Sequence, residues 1–368
     1  MRIGIPDLER YSPHRGIGRT ISTLVSIWSE WGHEIVPIPS RTSRLLVLRN
    51  LKWGLHGSLR DLDVIFFGDL PGAEALFFLP KDIPSVVMVH DVGVIDCAQD
   101  RAEATLLTRP LYRLSLRAAC RSMRSVAISD FTRGRLISHS ACLAHKTRTV
   151  YYGVDHGVFY PRDRSVARSL IRSRGVPVSD QDFIAMYAGA EYARKNLSTL
   201  VEAFALLHSR LPSARLLKVG SSHSEKNRLS TLGRMQQLGL AAGRDVIFVD
   251  DIDDSILPHF YCGADMYVST SRYEGFGLPL LEAMSCGLPC VVSNAGALPE
   301  VGGDAALYVD PDDAIGFADR MEEVARSQHD DLVGRALARA AEFDWEKTSG
   351  AILQVLQIAA AHGSVSQL

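Results

Sequence analysis

The chain has no long apolar run, no C-x-x-C pair and almost no net charge. None of its 368 residues falls in a stretch approaching the roughly 18 consecutive apolar residues of a membrane span. The opening Met1-Arg2-Ile3-Gly4-Ile5-Pro6-Asp7 lacks the apolar segment of a secretory leader. Six cysteines (Cys97, Cys120, Cys142, Cys262, Cys286, Cys290) are scattered without a C-x-x-C pair. That spacing fits neither a zinc site nor a disulfide framework, so the expectation is a reducing, cytoplasmic setting. With 40 Lys+Arg against 42 Asp+Glu, the total argues against a nucleic-acid protein dominated by phosphate contacts. Low-complexity tracts and repeats of about 20–50 residues are absent too.

What is there is enough apolar material for two cores. At about 150 residues per domain the length implies two globular domains. The charge is unevenly divided between them. Residues 1–165 carry 22 Lys/Arg against 16 Asp/Glu, net +6, and the rest carries 18 against 26, net −8.

Short apolar runs alternate with amphipathic stretches, the pattern of parallel βα units. In the first half the strands are read at Arg2–Ile5, Glu34–Ile38, Asp63–Phe67, Ser85–Val89, Ser125–Ile128 and Thr147–Tyr151. The pattern breaks over Asp155–Arg164, at Gly157 and Pro161, which reads as an interdomain linker. It restarts with strands at Phe183–Ala188, Ala214–Val219, Asp245–Val249, Asp265–Val268, Pro289–Ser293 and Ala306–Val309. A final apolar helix, Ser349–Ala361, has no strand of its own. Two doubly wound α/β units in tandem account for this order.

The most informative segment is Ser271-Arg-Tyr-Glu274-Gly-Phe-Gly277-Leu-Pro279-Leu-Leu-Glu282-Ala-Met-Ser-Cys-Gly287-Leu-Pro289. A strand ends at Ser269, a glycine turn follows, and Pro279 suits a first helical turn, where a missing N–H costs nothing. Gly287 then supplies a left-handed cap with a proline two residues on. A helix start of this kind presents unpaired N–H groups and partial positive charge, a site for phosphate. Glu274 lies before the helix and Glu282 about a turn inside it, so the carboxylates bracket the anion site. An elongated ligand with hydroxyls at both ends and a diphosphate between them fits, and a nucleotide sugar is such a ligand.

Glu274-x7-Glu282 within this segment resembles the signature of the retaining glycosyltransferases of family 4. The likeness continues through Val291-Val-Ser-Asn-Ala-Gly296-Ala-Leu-Pro299-Glu300-Val and Asp304–Pro311, and upstream in Gly189-Ala-Glu-Tyr-Ala-Arg194-Lys195-Asn196-Leu197. Val89-His90-Asp91, Ile128–Arg133 and Tyr152–Asp155 stand in family order. The resemblance implies a GT-B fold, α/β, with two Rossmann-like domains facing across a cleft: residues 1–160 on the acceptor side, with 347–368 packing back on them, and 161–346 on the nucleotide-sugar side. By the same resemblance Glu274 contacts donor-sugar hydroxyls and Glu282 the ribose. The amides of Phe276, Gly277 and Leu278 bind sugar hydroxyls and phosphate, and Lys195 with Arg194 takes the diphosphate. His90 approaches the sugar ring, Gly16 belongs to a loop completing the diphosphate site, and Asp251 and Ile252 lie at the nucleobase pocket.

What the likeness implies is hexose transfer from a GDP-, UDP- or dTDP-sugar to a saccharide, lipid-linked saccharide or secondary-metabolite acceptor, with retention. The subgroup most similar makes bacterial surface polysaccharide with mannose or rhamnose donors. No cofactor or metal is expected, because cations and amides can neutralise the leaving diphosphate. Three departures stand out. Arg15 occupies a place where the family often has glycine, Ala190 one where many members have arginine, and Asp250 one where glycine is common. A hydrolase or a non-catalytic sugar-nucleotide binder on the same fold is the alternative.

Other patterns point elsewhere. Asp251-Ile252-Asp253 could be the D-x-D metal motif of GT-A transferases, but charge at a helix start explains it better. Gly16-Ile17-Gly18 is a broken dinucleotide fingerprint, set about ten residues beyond its strand. Arg109, Arg113, Arg117, Arg121 and Arg124 step by 4, 4, 4 and 3, as if along one helix face. With a second cluster over Arg41–Trp53, they could attract an anionic membrane or a lipid-diphosphate acceptor, giving peripheral contact at the inner face of the membrane.

Overall fold

A computed structural model of the chain describes residues 1–11, 16–38, 59, 61–97, 107–250, 252–327 and 329–365. Arg15, Asp251 and the cluster over Arg41–Trp53 lie outside the described residues. The chain forms two compact units, Met1–Gly153 with Trp345–Leu368, and Val154–Asp344.

Each of the twelve stretches read as strands is one. In the first unit they are β1 (Arg2–Pro6), β2 (Glu34–Ile38), β3 (Val64–Phe67), β4 (Ser85–Val89), β5 (Arg124–Ala127) and β6 (Thr147–Thr149), in the order β2-β1-β3-β4-β5-β6. All the pairings are parallel. Every residue of β3 and β4 is buried, as expected of strands covered by helices on both faces. The edge strand β2 is half-exposed and holds Pro37, which lacks an N–H to offer a neighbour.

The second unit contains β7 (Phe183–Ala188), β8 (Ala214–Val219), β9 (Val246–Val249), β10 (Met266–Ser269), β11 (Cys290–Ser293) and β12 (Leu307–Val309). Their order, β12-β11-β10-β7-β8-β9, is again wholly parallel and is the doubly wound order of dinucleotide-binding folds. Asp245 and Asp265, read as strand residues, instead precede the ladder. The Asp265 carboxylate accepts from the Ile184 amide at 2.7 Å, and that of Asp245 from Ala241 at 2.8 Å.

The segment read as a linker is packed. Val154 bridges to Asp344, and Phe159 lies buried with its ring edge-on to Tyr261, 6.0 Å between centroids. The Ser285 hydroxyl donates to the Phe159 carbonyl at 2.8 Å. Gly157 and Pro161 interrupt regular structure at exposed positions, while the buried Val154 and Phe159 hold the segment to the second unit. The boundary accordingly falls at Gly153/Val154, earlier than the expected 160/161.

The last helix, Trp345–Val365, belongs to the first unit. It buries Ile352, Val355, Leu356 and Ala359, and its Ser349 carbonyl accepts from the Trp28 indole N–H at 3.1 Å. Trp28, fully buried on helix Gly16–Glu30, also meets Phe66 edge-on at 5.4 Å.

Two expectations change. Cys120 and Cys142 are joined by a disulfide, while Cys97, Cys262, Cys286 and Cys290 remain buried thiols. A 22-residue spacing concealed the pair, because a helix end and a later turn bring it together. The five arginines do not share one helix face either. Helix Thr108–Ala119 ends before Arg121, whose guanidinium donates to the carbonyls of Leu76 and Leu79, and Arg124 begins β5. Among the described residues, no helix is long and apolar enough to cross a membrane.

Trp28→Ala would remove a buried aromatic and orphan the Ser349 carbonyl. We expect a loss of about 3–5 kcal/mol in urea unfolding. A change under about 1 kcal/mol would mean that the last helix is held by other contacts.

Candidate active site

In the second sheet, β8 and β9 lie to one side of β7 and β10 to β12 to the other. Loops leaving the carboxyl ends of β7 and β10 therefore diverge and open a crevice, the place where ligands bind such sheets. Both loops carry residues singled out from the sequence. The β7 loop ends in a single 3-10 turn, Ala193–Lys195, and the β10 loop runs through Glu274 to Gly277.

Across that crevice Lys195 Nζ meets Glu274 Oε1 at 2.6 Å, with each side chain 12% exposed. The Ser271 hydroxyl donates to the same oxygen at 2.8 Å. Burial alone would raise the Glu274 carboxyl, but Lys195, Arg194 and Ser271 outweigh it and hold the group below its usual range. Glu274 is thus a pure hydrogen-bond acceptor at neutral pH, suited to ligand hydroxyls.

The two loops are tied together through the backbone. Thr270 Oγ1 donates to the Asn196 carbonyl at 2.9 Å, and the Arg272 amide to the Arg194 carbonyl at 2.8 Å. Asn196, buried and left-handed at φ 58°, turns the chain into helix Leu197–Arg210 and donates through Nδ2 to the Pro311 carbonyl at 2.6 Å. Gly296, at φ +63°, lies beneath Glu274. A Cβ there would sit 2.6 Å from the Glu274 nitrogen and 2.7 Å from its carbonyl oxygen.

Helix Leu278–Ser285 starts at Gly277, φ 110°, with Pro279 in its first turn, and Gly287 at φ 77° closes its far end. Its N-terminus has no side-chain cap and no acid in the first turn, so backbone donors there suit an external anion. Glu282, in the second turn, is buried and accepts from the Tyr261 hydroxyl at 2.8 Å. The Phe276 ring turns inward, edge-on to Phe343 at 5.9 Å. Arg194 places its guanidinium 5.4 Å from the Tyr192 ring.

The structure thus gathers Lys195, Arg194, Glu274, Phe276, Gly277, Leu278 and Glu282 in one unit, with Ile252 following β9. Asp251 lies outside the described residues. His90 and Gly16 belong to the other unit. Gly16 opens its helix at φ +39°, and residues 12–15 before it are outside the described set. His90 is buried, with Nε2 on the Gly68 carbonyl at 2.6 Å and Nδ1 on the Tyr152 hydroxyl. A carbonyl only accepts, so Nε2 carries the proton that faces it.

One group escaped the sequence reading. Glu191, buried just after β7, pairs with Lys218 Nζ at 3.0 Å and Arg228 at 2.7 Å. Arg228 continues to Asp250, and Lys218 Nζ also donates to the Ser221 carbonyl at 3.0 Å. Burial lowers the Lys218 ammonium below the usual lysine range, against the pull of Glu191. These charges fasten the loops after β7, β8 and β9 to one another. The available signal was Lys218, a cation set between the apolar Leu217 and Val219 of β8.

Comparison with other proteins adds independent findings. Residues 182–327 match a family profile described as glycosyl transferases group 1. The O-antigen chain mannosyltransferase B of Escherichia coli is 31% identical over 319 residues, 84% of this chain and 77% of that protein. A D-inositol 3-phosphate glycosyltransferase of Nocardioides sp. (strain ATCC BAA-499 / JS614) is 30% identical over 250 residues, covering 64% of this chain and 54% of its own length. Among solved structures, sucrose-phosphate synthase from Thermosynechococcus elongatus matches with a TM-score of 0.80 at 20% identity, over 98% of this chain and 99% of that one. Anabaena Alr3699/HepE in complex with UDP-glucose matches at 0.74 and 19% identity over 100% of both chains.

Two predictions follow from the geometry. Because the Glu274 carboxyl is depressed in the fold, its stabilisation is full above the unfolded value near 4.3 and is lost as pH falls through the lower folded value. Glu274→Gln should therefore cost about 1.5–3 kcal/mol at neutral pH, with the gap to the unmodified chain closing on acidification; a pH-independent gap in denaturant titrations would contradict this. Gly296→Ala should displace the Glu274 backbone and lower turnover by about 100-fold, the scale of a roughly 1 Å misplacement. Unchanged kinetics would show that the loop yields freely.

Proposed function

The chain belongs to the glycosyl transferases group 1 family and has the GT-B fold, and on that footing we propose how it transfers sugar. In this reading it moves a hexose from a nucleotide diphosphate sugar to a saccharide or lipid-linked saccharide acceptor, retaining configuration at the anomeric carbon. Similarity to the O-antigen mannosyltransferase favours mannose as the hexose. The carrying observation is the Lys195–Glu274 pair across the crevice between β7 and β10.

The pair divides a nucleotide sugar by chemistry. Glu274, ionised and accepting, takes hydroxyl donors of the sugar. Lys195 has three donor hydrogens, so it can hold Glu274 and still turn toward a diphosphate oxygen. Arg194 and the uncapped start of helix Leu278–Ser285 add positive potential where the leaving diphosphate gathers charge. Glu282 accepts from ribose hydroxyls, with Tyr261 fixing one of its oxygens.

In the transfer step the bond from the anomeric carbon to the phosphate oxygen breaks, and the acceptor oxygen bonds to that carbon on the same face. The acceptor proton passes to the departing diphosphate, so no protein base is required. Glu274, restrained by a cation and a hydroxyl, serves as positioner of the sugar and not as nucleophile. His90 enters as a shape-setting residue of its own unit, since both ring nitrogens are committed. Metal plays no part in this reading, and peripheral membrane contact through the basic first unit does.

Glu274→Ala separates transfer from mere binding. We expect kcat to fall at least about 100-fold while nucleotide Kd changes less than about threefold, in buffer containing EDTA throughout. Equal loss of both would remove Glu274 from the sugar, and activity that needs added manganese would restore a metal-dependent reading. Thermal shifts with GDP, UDP and dTDP identify the base, since a ligand at 100 times its Kd adds about 2.7 kcal/mol.

A further inference from the structure

Helix Thr108–Ala119 carries two apolar stripes where one would suffice. Tyr112, Leu116 and Ala119 face the core of the first unit. Leu107, Leu111 and Leu114 stand at the i, i+4, i+7 spacing of a second stripe, and these are 70%, 37% and 39% exposed. Beside them on the same outward arc lie Pro110, Arg113 and Arg117, all exposed. Among the described residues, neither Arg113 nor Arg117 makes an ion pair or hydrogen bond, and the next cation, Arg109, has a buried Nε without a partner. From Leu107 to Arg124 there is no acidic residue.

Other arginines of this region are occupied. Arg121 caps carbonyls, Arg133 donates to the Thr147 carbonyl at 3.1 Å, and Arg135 pairs with Asp96 at 2.6 Å. Among the described residues from 107 to 135, the cations left unpaired are therefore those beside the exposed leucines. Apolar side chains flanked by unpaired cations match a surface that is apolar and anionic together. A second copy of this chain is a poorer fit, because a two-fold contact would set arginines against arginines. A soluble polyanion would give the leucines nothing to enter.

We propose that the outward face of helix Thr108–Ala119 docks on an anionic lipid bilayer, with Leu107, Leu111 and Leu114 entering the headgroup boundary and Arg113 and Arg117 on lipid phosphates. This deepens the membrane contact included in the functional reading and rests on it for its purpose. It identifies the face that brings the transferase to a lipid-linked acceptor.

The test is flotation of the full chain with phosphatidylcholine vesicles, with and without phosphatidylglycerol, in the absence of donor and acceptor. We expect binding only to the anionic vesicles, weakened by salt. Arg113→Gln/Arg117→Gln should lower partitioning about fivefold per arginine, and Leu111→Ser/Leu114→Ser about tenfold, with unchanged circular dichroism. Should the double leucine variant misfold, Leu107→Ser, at the most exposed position, carries the same expectation. No binding by the unmodified chain, equal binding to neutral vesicles, or variants that float as well would each overturn the proposal. So would a dimer in sedimentation velocity that the leucine variant dissociates, or heparin binding indifferent to the leucines. Because no sugar is present, a failed transfer assay leaves this result standing, and the reverse also holds.

Discussion

A lysine and a glutamate facing each other where one sheet parts its loops set the conditions for the rest of the second unit. Each charge is largely withdrawn from water, and either alone would be costly. Together they are tolerable only if their geometry is fixed, because attraction at 2.6 Å decays with small displacements. The surrounding structure supplies that fixity. Thr270, Asn196 and Arg272 bind one loop to the other through the backbone, and Gly296 lets the chain pass directly under Glu274.

The same logic recurs one strand away. Lys218, Glu191 and Arg228 form a buried charged cluster with no evident part in chemistry, yet it binds the loops after β7, β8 and β9 into one unit. Gly220 approaches the Gly189 carbonyl so closely that a Cβ would stand 2.8 Å from it. A site that must hold a diphosphate needs loops without side-chain bulk. Loops of that kind must be stiffened by something other than packing, and buried ion pairs do this at the cost of desolvation.

The first unit uses its excess positive charge in two ways. Some arginines, such as Arg121 and Arg133, spend their donors on carbonyls that would otherwise lack partners. Others, Arg113 and Arg117, are left at the surface beside leucines. A count of charges by half of the chain cannot separate these uses, because it weighs a buried guanidinium and a solvated one alike.

Strand positions, the glycine turns and the helix following Glu274 were legible from the sequence, since each rests on local causes. Burial on both faces selects apolar runs, left-handed turns select glycine, and a first helical turn tolerates proline. The family signature rests on the same local spacing. Partnership between distant residues was not legible: the Cys120–Cys142 bond, the Tyr261 hydroxyl on Glu282, the closure of the His90 ring nitrogens, and the Lys195–Glu274 contact, 79 residues apart in the chain. The last of these is fixed by where β7 and β10 lie side by side, and strand order is a property of the whole sheet that no local window contains. For the arginines likewise, the helix period gave their spacing, but only the end of the helix at Ala119 decided which of them face outward.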